Sequence, residues 1–126
     1  MRVLQVIDQA FRTLAEEQDD TLLWLTRSML NAGAALEVLF TQHAVQYVVQ
    51  TRRQPALRIG DWQQTQPADP VVDVQALIGE RVPVYAVAED LEERGLAGFS
   101  AIPGVAIVTR SDLVGLYQRV DQVWHW

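Results

Sequence analysis

The chain has 126 residues, of which 49% are hydrophobic and 21% are charged, and it contains no cysteine and no lysine. This composition predicts a single compact domain over residues 1–126, with a core large enough to be stable without a disulfide or a structural metal. The absence of cysteine excludes disulfides, thiolate metal sites and a cysteine nucleophile, and the absence of lysine excludes Schiff-base chemistry.

The net charge is -6, and every basic residue is an arginine. Binding to nucleic acid needs clustered cations, so we expect no direct nucleic-acid binding. No apolar run approaches the roughly 20 residues that span a bilayer, and the opening MRVLQVIDQ lacks the length and cleavage site of a signal peptide. We therefore expect a cytoplasmic protein that does not contact a membrane.

The first third of the chain alternates strands with helices. Arg2–Ile7 is a nearly continuous apolar run, as is typical of a strand buried on both faces. Asp19 or Asp20 is suited to cap a helix that runs to about Ala32 and stops at Gly33. The apolar residues of this helix recur at helical spacing: Leu22, Leu25, Met29 and Ala32.

Leu36–Phe40 predicts a second strand, and the apolar residues after it predict a short helix over Ala44–Val49. Thr51–Pro70 then carries three of the five prolines and several glutamines. We interpret this segment as a long connection, ordered in part around Trp62. Connections of this length inside a small domain usually have a function or are mobile.

The second half predicts five further elements. They are a helix over Val71–Ile78 ended by Gly79, a strand over Val82–Val87, a strand over Gly104–Thr109, a helix capped by Ser111 with Leu113, Leu116, Tyr117 and Val120 on one face, and a strand or aromatic tail over Val123–Trp126. Strands that alternate with helices are typical of parallel sheets. The predicted fold is an α/β three-layer sandwich of flavodoxin-like kind with a five-stranded, mostly parallel sheet.

Ligands of parallel sheets bind beyond the carboxyl ends of the strands, which here selects residues 8–13, 41–43, 88–90 and 109–112. Candidate ligand-binding residues are therefore Asp8, Thr41, His43 and Glu89. Glu89 and Asp90 suggest a general acid–base pair, but a capping box between Asp90 and Glu93 is favoured. His43 is either a proton shuttle or hydrogen-bond donor, or, more simply, a polar residue at the start of a helix.

No nucleotide-binding glycine motif, metal-ligand cluster or nucleophile elbow is present, so we expect no cofactor, no metal site and no catalytic residue. An enzyme is therefore the less favoured class. Arg52, Arg53 and Arg58 form a local basic patch that is suited to an anionic ligand. Trp62 is a candidate contact residue. Trp124 and Trp126 either form an interface or fill the edge of the core, with equal support.

The segment VYAVAEDLEERGLAG (residues 84–98), the following strand at Val105–Val108, the helix SDLVGLY and the terminal Trp126 together resemble the DsrH/TusB branch of the DsrE/DsrF/DsrH sulfur-relay family. The strand ALEVLF, with Gly33 before it, is similar to the wider group. The resemblance implies a five-stranded α/β domain that assembles with itself or with cysteine-bearing DsrE-like paralogues. Asp90, Arg94 and Gly95 match the motif as structural residues.

Active members of this family carry a cysteine just after the third strand and pass persulfide sulfur in tRNA 2-thiolation or in sulfur oxidation. The matching place in this chain is Ala86–Ala88, which has no thiol. The resemblance therefore implies a non-catalytic component or accessory of such a relay. The alternative is a stand-alone domain that binds a small molecule or anion and has lost the relay function.

Overall fold

The computed structural model describes residues 1–10, 20–50 and 55–126. Its strands are β1 (Arg2–Ile7), β2 (Ala35–Phe40), β3 (Arg58–Ile59), β4 (Trp62–Gln63), β5 (Val84–Val87), β6 (Ala106–Val108) and β7 (Gln122–His125). Its α-helices are α1 (Thr21–Asn31), α2 (Pro70–Gly79), α3 (Ala88–Glu93) and α4 (Leu113–Gln118), and there are 3-10 helices at Gln42–Val48 and Arg110–Asp112.

Five strands form one parallel sheet in the order β6-β5-β2-β1-β7. This confirms the predicted α/β sandwich with a five-stranded parallel sheet. Counted along the chain, the strands of the sheet lie in the order 4-3-2-1-5, whereas flavodoxin has 2-1-3-4-5. The sequence pattern therefore predicted the layers correctly. It did not predict which strands are neighbours in the sheet.

The core lies on both faces of this sheet because alternate residues of each strand point to opposite sides. On one face, Ile7, Val38 and Phe40 pack against α1, α2 and the first 3-10 helix. On the other face, Leu4, Val6 and Leu39 pack against Leu116 of α4. Because α4 has only six residues, this second face has the thinner cover among the described residues.

The start of α1 follows the predicted cap. The side chain of Asp20 is fully buried, and its Oδ1 accepts the backbone N–H groups of Leu22 and Leu23 at 3.1 and 3.2 Å. The hydroxyl of Tyr47, in the first 3-10 helix, donates to the other carboxylate oxygen. A good N-cap stabilises a helix by about 1 kcal/mol. Here the same carboxylate also joins α1 to the helix that follows β2.

Three local predictions are corrected. The segment after β2 is a 3-10 helix and not an α-helix, in keeping with the restricted side chains of its valines. Ser111 is not a helix cap: Thr109 and Asp112 form a reciprocal capping box instead. Tyr117 is 42% exposed and does not belong to the buried face of α4.

Two strands are shorter than predicted. β5 begins at Val84 and not at Val82, because Arg81 has a positive φ of 64° and Pro83 has no N–H to donate. β6 covers only Ala106–Val108 because Gly104, at its predicted start, lies in a turn with φ 99°. A Cβ atom on Gly104 would lie 2.6 Å from the Cγ2 atom of Ile78 in α2, so this turn and α2 approach each other closely.

The long connection contains an antiparallel hairpin of β3 and β4, in which Ile59 pairs with Trp62. The side chains of both strands are exposed. Within the described ranges, no helix is long and apolar enough to cross a membrane.

Candidate functional site

Predicted site residues follow several strands at one edge of the sheet. Asp8 follows β1, Thr41 follows β2, and Glu89 lies in α3 directly after β5. Because the strands are parallel, their carboxyl ends share this edge, and His125 at the end of β7 joins them. We call residues 8, 41–43, 88–90, 109–112 and 125–126 the strand-end rim.

Asp90 is the centre of the strand-end rim. Its side chain is 2% exposed, and its Oδ2 accepts the backbone N–H of Gln42 at 2.8 Å. Its Oδ1 accepts a guanidinium N–H of Arg110 at 2.7 Å and lies 4.0 Å from Arg94. Gln42 has a positive φ of 50°, an uncommon conformation for a residue other than glycine. One carboxylate therefore links the ends of β2, β5 and β6.

The capping box predicted between Asp90 and Glu93 is wrong. Asp90 is the third residue of α3, whose N-cap is Val87, and no side chain caps this helix. Glu93 instead accepts a hydrogen bond from Arg110 at 2.8 Å. The hydrogen bonds that Arg110 donates, to Asp90 first and then to Glu93, raise the pKa of Arg110 above its usual value.

Glu89 holds the turn between β6 and the second 3-10 helix. Its two carboxylate oxygens accept the backbone N–H of Arg110 at 3.1 and 2.9 Å. Both acidic residues that suggested acid–base chemistry are thus bound to Arg110, one through its backbone and one through its side chain. Arg110 lies in the range 109–112 that the strand-end rule selected, but sequence reasoning did not single it out because its partner Asp90 is 20 residues away.

Asp8 and His125 join the ends of β1 and β7. The Nε2 of His125 lies 3.1 Å from Oδ2 of Asp8. The backbone of Trp126 continues the pairing, since its N–H donates to Val6 and its carbonyl accepts from Asp8. This arrangement fixes the last residues of the chain against the first strand.

Thr41 and His43 contribute less to the contacts of the strand-end rim than Glu89 and Asp90 do. Thr41 donates its backbone N–H to the carbonyl of Ile7 at 2.9 Å and precedes the first 3-10 helix without a side-chain cap. His43 is exposed at the start of that helix. Of the two interpretations of His43, the polar helix-start residue describes this position, and a proton-shuttle role stays a prediction.

The remaining predicted residues lie elsewhere. Arg58 and Trp62 are exposed on the hairpin, where Trp62 is 47% accessible. Arg52 and Arg53 lie outside the described residues. Trp124 is partly buried and donates its indole N–H to Gln122 at 2.9 Å.

The carboxylates of the strand-end rim contact other groups of the rim and are not directed at an open site. A general base must offer a free lone pair to a substrate within hydrogen-bond reach. Asp8, Glu89 and Asp90 instead contact a histidine, a backbone N–H and an arginine. Across the described ranges, no group of three histidine or acidic side chains is arranged to hold a metal ion.

An apolar cleft of about 230 Å³ lies beside this rim, at the outer side of β6. Its buried floor is formed by Val48, Val49, Leu91 and Leu96, and its exposed border by Phe99 and Ile107. The sequence offers one sign of it. Ala88, Leu91 and Glu92 have i, i+3 and i+4 spacing in α3 and therefore share one helix face.

A second polar cluster lies on the α4 face of the sheet. Glu37 of β2 is 2% exposed and accepts the hydroxyl of Tyr85 at 2.7 Å and a guanidinium N–H of Arg119 at 3.2 Å. Burial, followed by the hydrogen bond to Glu37, raises the pKa of Tyr85. The guanidinium of Arg119 also lies 5.7 Å from the centre of the Tyr85 ring. The contacts of this cluster join β2, β5 and the end of α4.

No protein-family model matches the sequence, and no curated protein matches it either. Several solved structures are similar to the chain, and two of them match it over almost its whole length. The ychN protein from E. coli has a TM-score of 0.75 at 18% identity, covering 99% of this chain and 98% of that chain. MTH1491 from Methanobacterium thermoautotrophicum, a protein of unknown function, has a TM-score of 0.67 at 16% identity with the same coverage. At these identities the comparison establishes that the chain shares its fold with both proteins.

Proposed function

We propose that this protein is a non-catalytic, cysteine-free component of a DsrE/DsrF/DsrH-like sulfur-relay assembly, and that it acts by docking to other subunits. One observation carries the proposal. At the end of β5, where the resemblance implies a sulfur-carrying cysteine, the chain has Val87 and Ala88, and the neighbouring carboxylates are bound internally. The process that this assembly serves is tRNA 2-thiolation or sulfur oxidation.

The strand-end rim supports docking because it is already cross-linked. The contacts of Asp90 to Gln42 and Arg110 join the ends of β2, β5 and β6 before any partner binds. The contact of Asp8 to His125 joins the ends of β1 and β7. A surface fixed in advance loses little conformational entropy on association. A subunit without a reactive group can therefore still supply a defined contact surface.

β7 is the best candidate for that contact surface. Among the described residues it is an edge strand, paired on one side with β1. Val123 is 42% exposed and Trp126 is 38% exposed, which is unfavourable in water for large apolar groups. Edge strands with exposed apolar side chains favour pairing with another chain, and tryptophan is enriched at interface hot spots. The partner is a second copy of this chain or a cysteine-bearing DsrE-like paralogue.

The test is to measure association of the purified protein, alone and with a cysteine-bearing DsrE-like protein from the same organism, by light scattering and native mass spectrometry. We expect a defined oligomer. Trp126→Ser should weaken it by about thirtyfold, as for a hot spot worth about 2 kcal/mol. Trp24→Ser is the matched control, because Trp24 is 56% exposed but lies on α1.

A strictly monomeric protein that binds no such partner would contradict the proposal. Equal weakening by the two tryptophan substitutions would contradict the assignment to β7 and leave the assembly itself intact. A second readout is the rate at which the cysteine-bearing partner passes labelled sulfur to its acceptor. That rate should change when this protein is added, although the protein itself takes up no label.

The alternative, a stand-alone anion-binding domain, depends on Arg52, Arg53 and Arg58. Of these, Arg58 lies exposed on the hairpin and the other two lie outside the described residues. Thermal-shift measurements with phosphate and nucleotides, on the parent and on Arg58→Ala, test this alternative. It requires a rise in melting temperature that the substitution reduces.

A further inference from the structure

The apolar cleft beside β6 exists because small side chains line part of it. Ala88, Ala97 and Ala101 contribute single methyl groups, while Leu91 and Leu96 form its buried floor. The resulting volume is about 230 Å³. An engineered apolar cavity of about 150 Å³ is large enough to hold benzene. The cleft therefore has room for a single aromatic ring with a short substituent.

The cleft is also placed where ligands of parallel sheets bind. Ala88 directly follows β5, and Ile107 is the middle residue of the neighbouring strand β6, so the cleft borders the carboxyl end of β5 and the side of β6. Ligand sites in such sheets lie beyond the carboxyl ends of the strands. The rest of the strand-end rim is occupied by its own ion pairs, which leaves this position as an open concave surface.

Glu92 gives the cleft a charge preference. Glu92 is an exposed residue of the cleft lining, and within the described ranges its carboxylate has no hydrogen-bond or ion-pair partner. Among the described residues, no arginine lines the cleft; Arg52 and Arg53 lie outside the described residues. The net charge of the chain, -6, adds to the repulsion of an anion.

We propose that this cleft is a binding site for a small aromatic amine, whose ring lies against Leu91 and Leu96 and whose ammonium group pairs with Glu92. The ring gains from the removal of apolar surface from water, which does not depend on charge. The ammonium group adds a solvent-exposed ion pair, which contributes modestly and favours a cation over a neutral or anionic analogue.

The test compares three molecules of similar shape and different charge: 2-phenylethylamine, 2-phenylethanol and phenylacetate. Dissociation constants are measured from the chemical shifts of the backbone amides of residues 88–101 in the full chain. We expect affinity to fall in the order amine, alcohol, carboxylate. The amine should bind up to about fivefold more tightly than the alcohol, as for an exposed ion pair. Glu92→Gln should remove this difference while the alcohol binds as before.

Two further variants test the location. Ala88→Leu and Ala97→Leu add volume inside the cleft and should each abolish binding of all three probes. Ala97 is exposed, so its substitution leaves the core intact even where Ala88→Leu affects folding. Ala106→Leu is the matched control, because Ala106 lies on β6 beside Ile107 and points to the opposite face.

The proposal is overturned by any of three results. The first is no saturable shift at residues 88–101 up to the solubility limit of the probes. The second is binding of phenylacetate as tight as that of the amine. The third is unchanged binding in Ala97→Leu. Because association of subunits is measured separately through Trp126, each of these results leaves the proposed docking function open.

Discussion

Removal of the Asp90 carboxylate should destabilise the protein more than any other acidic substitution in α3. Asp90 is 2% exposed, and its Oδ2 accepts the N–H of Gln42 at 2.8 Å. A hydrogen bond to a charged group contributes about 1.5–3 kcal/mol. The guanidinium of Arg110 is about half exposed and regains water when Asp90 is removed, so the loss comes mainly from Gln42. We therefore expect Asp90→Ala to lower the free energy of unfolding by about 2–3 kcal/mol.

The assay is urea denaturation followed by circular dichroism, where a lower midpoint with an unchanged slope reports a loss of stability. Asp90→Asn retains an oxygen that can accept the Gln42 N–H, so it should cost roughly half as much as Asp90→Ala. Glu92→Ala removes an exposed carboxylate from the same helix and should change stability by less than about 0.5 kcal/mol. A midpoint for Asp90→Ala equal to that of the parent would refute the reasoning. So would equal losses for the Ala and Asn variants.

Further predictions concern backbone, core and pH. Gly104→Ala should cost about 1–3 kcal/mol because of its positive φ and the close approach to α2, whereas Gly115→Ala within α4 should be neutral or stabilising by up to about 1 kcal/mol. Equal urea midpoints for these two variants would contradict this. Tyr47→Phe should cost about 1–3 kcal/mol by removing a donor from the buried carboxylate of Asp20, and an unchanged midpoint would contradict that role. Burial, together with a neighbouring carboxylate, raises the pKa of Tyr85, so its contribution to stability is complete below about pH 10 and is lost as pH rises through the folded-state pKa. Tyr85→Phe should therefore lose less stability than the parent as pH rises above about pH 10, and identical slopes there would contradict this.

The fold was predictable where sequence signals are local. β1 is a nearly continuous apolar run, and α1 has an aspartate before leucines at helical spacing, so both were predicted to within a few residues. The boundaries of β5 and β6 were missed because they depend on the backbone of Arg81 and Gly104. A positive φ at a residue such as Arg81 leaves no mark in the amino-acid pattern.

The candidate site was less predictable because its contacts are distant in sequence. Asp90 has a glutamate three residues later, which matches a capping box, yet its partners Gln42 and Arg110 lie 48 and 20 residues away. The real capping box, at Thr109 and Asp112, has the same spacing. Alanines carry no chemical signal, so the helix face that Ala88 shares with Leu91 and Glu92 was not enough to predict the cleft.

The position of β1 between β2 and β7 has a consequence for synthesis of the chain. Val3 pairs with Gln122 and Val6 with His125, so β1 is made long before β7, one of its two neighbours in the sheet. Until then, one backbone edge of β1 has no partner strand. Pairings between such distant segments form slowly, since a long loop must close first. A nascent chain thus keeps β1 half-paired until β7 has been made, and during that time this open edge can aggregate or be captured by a chaperone.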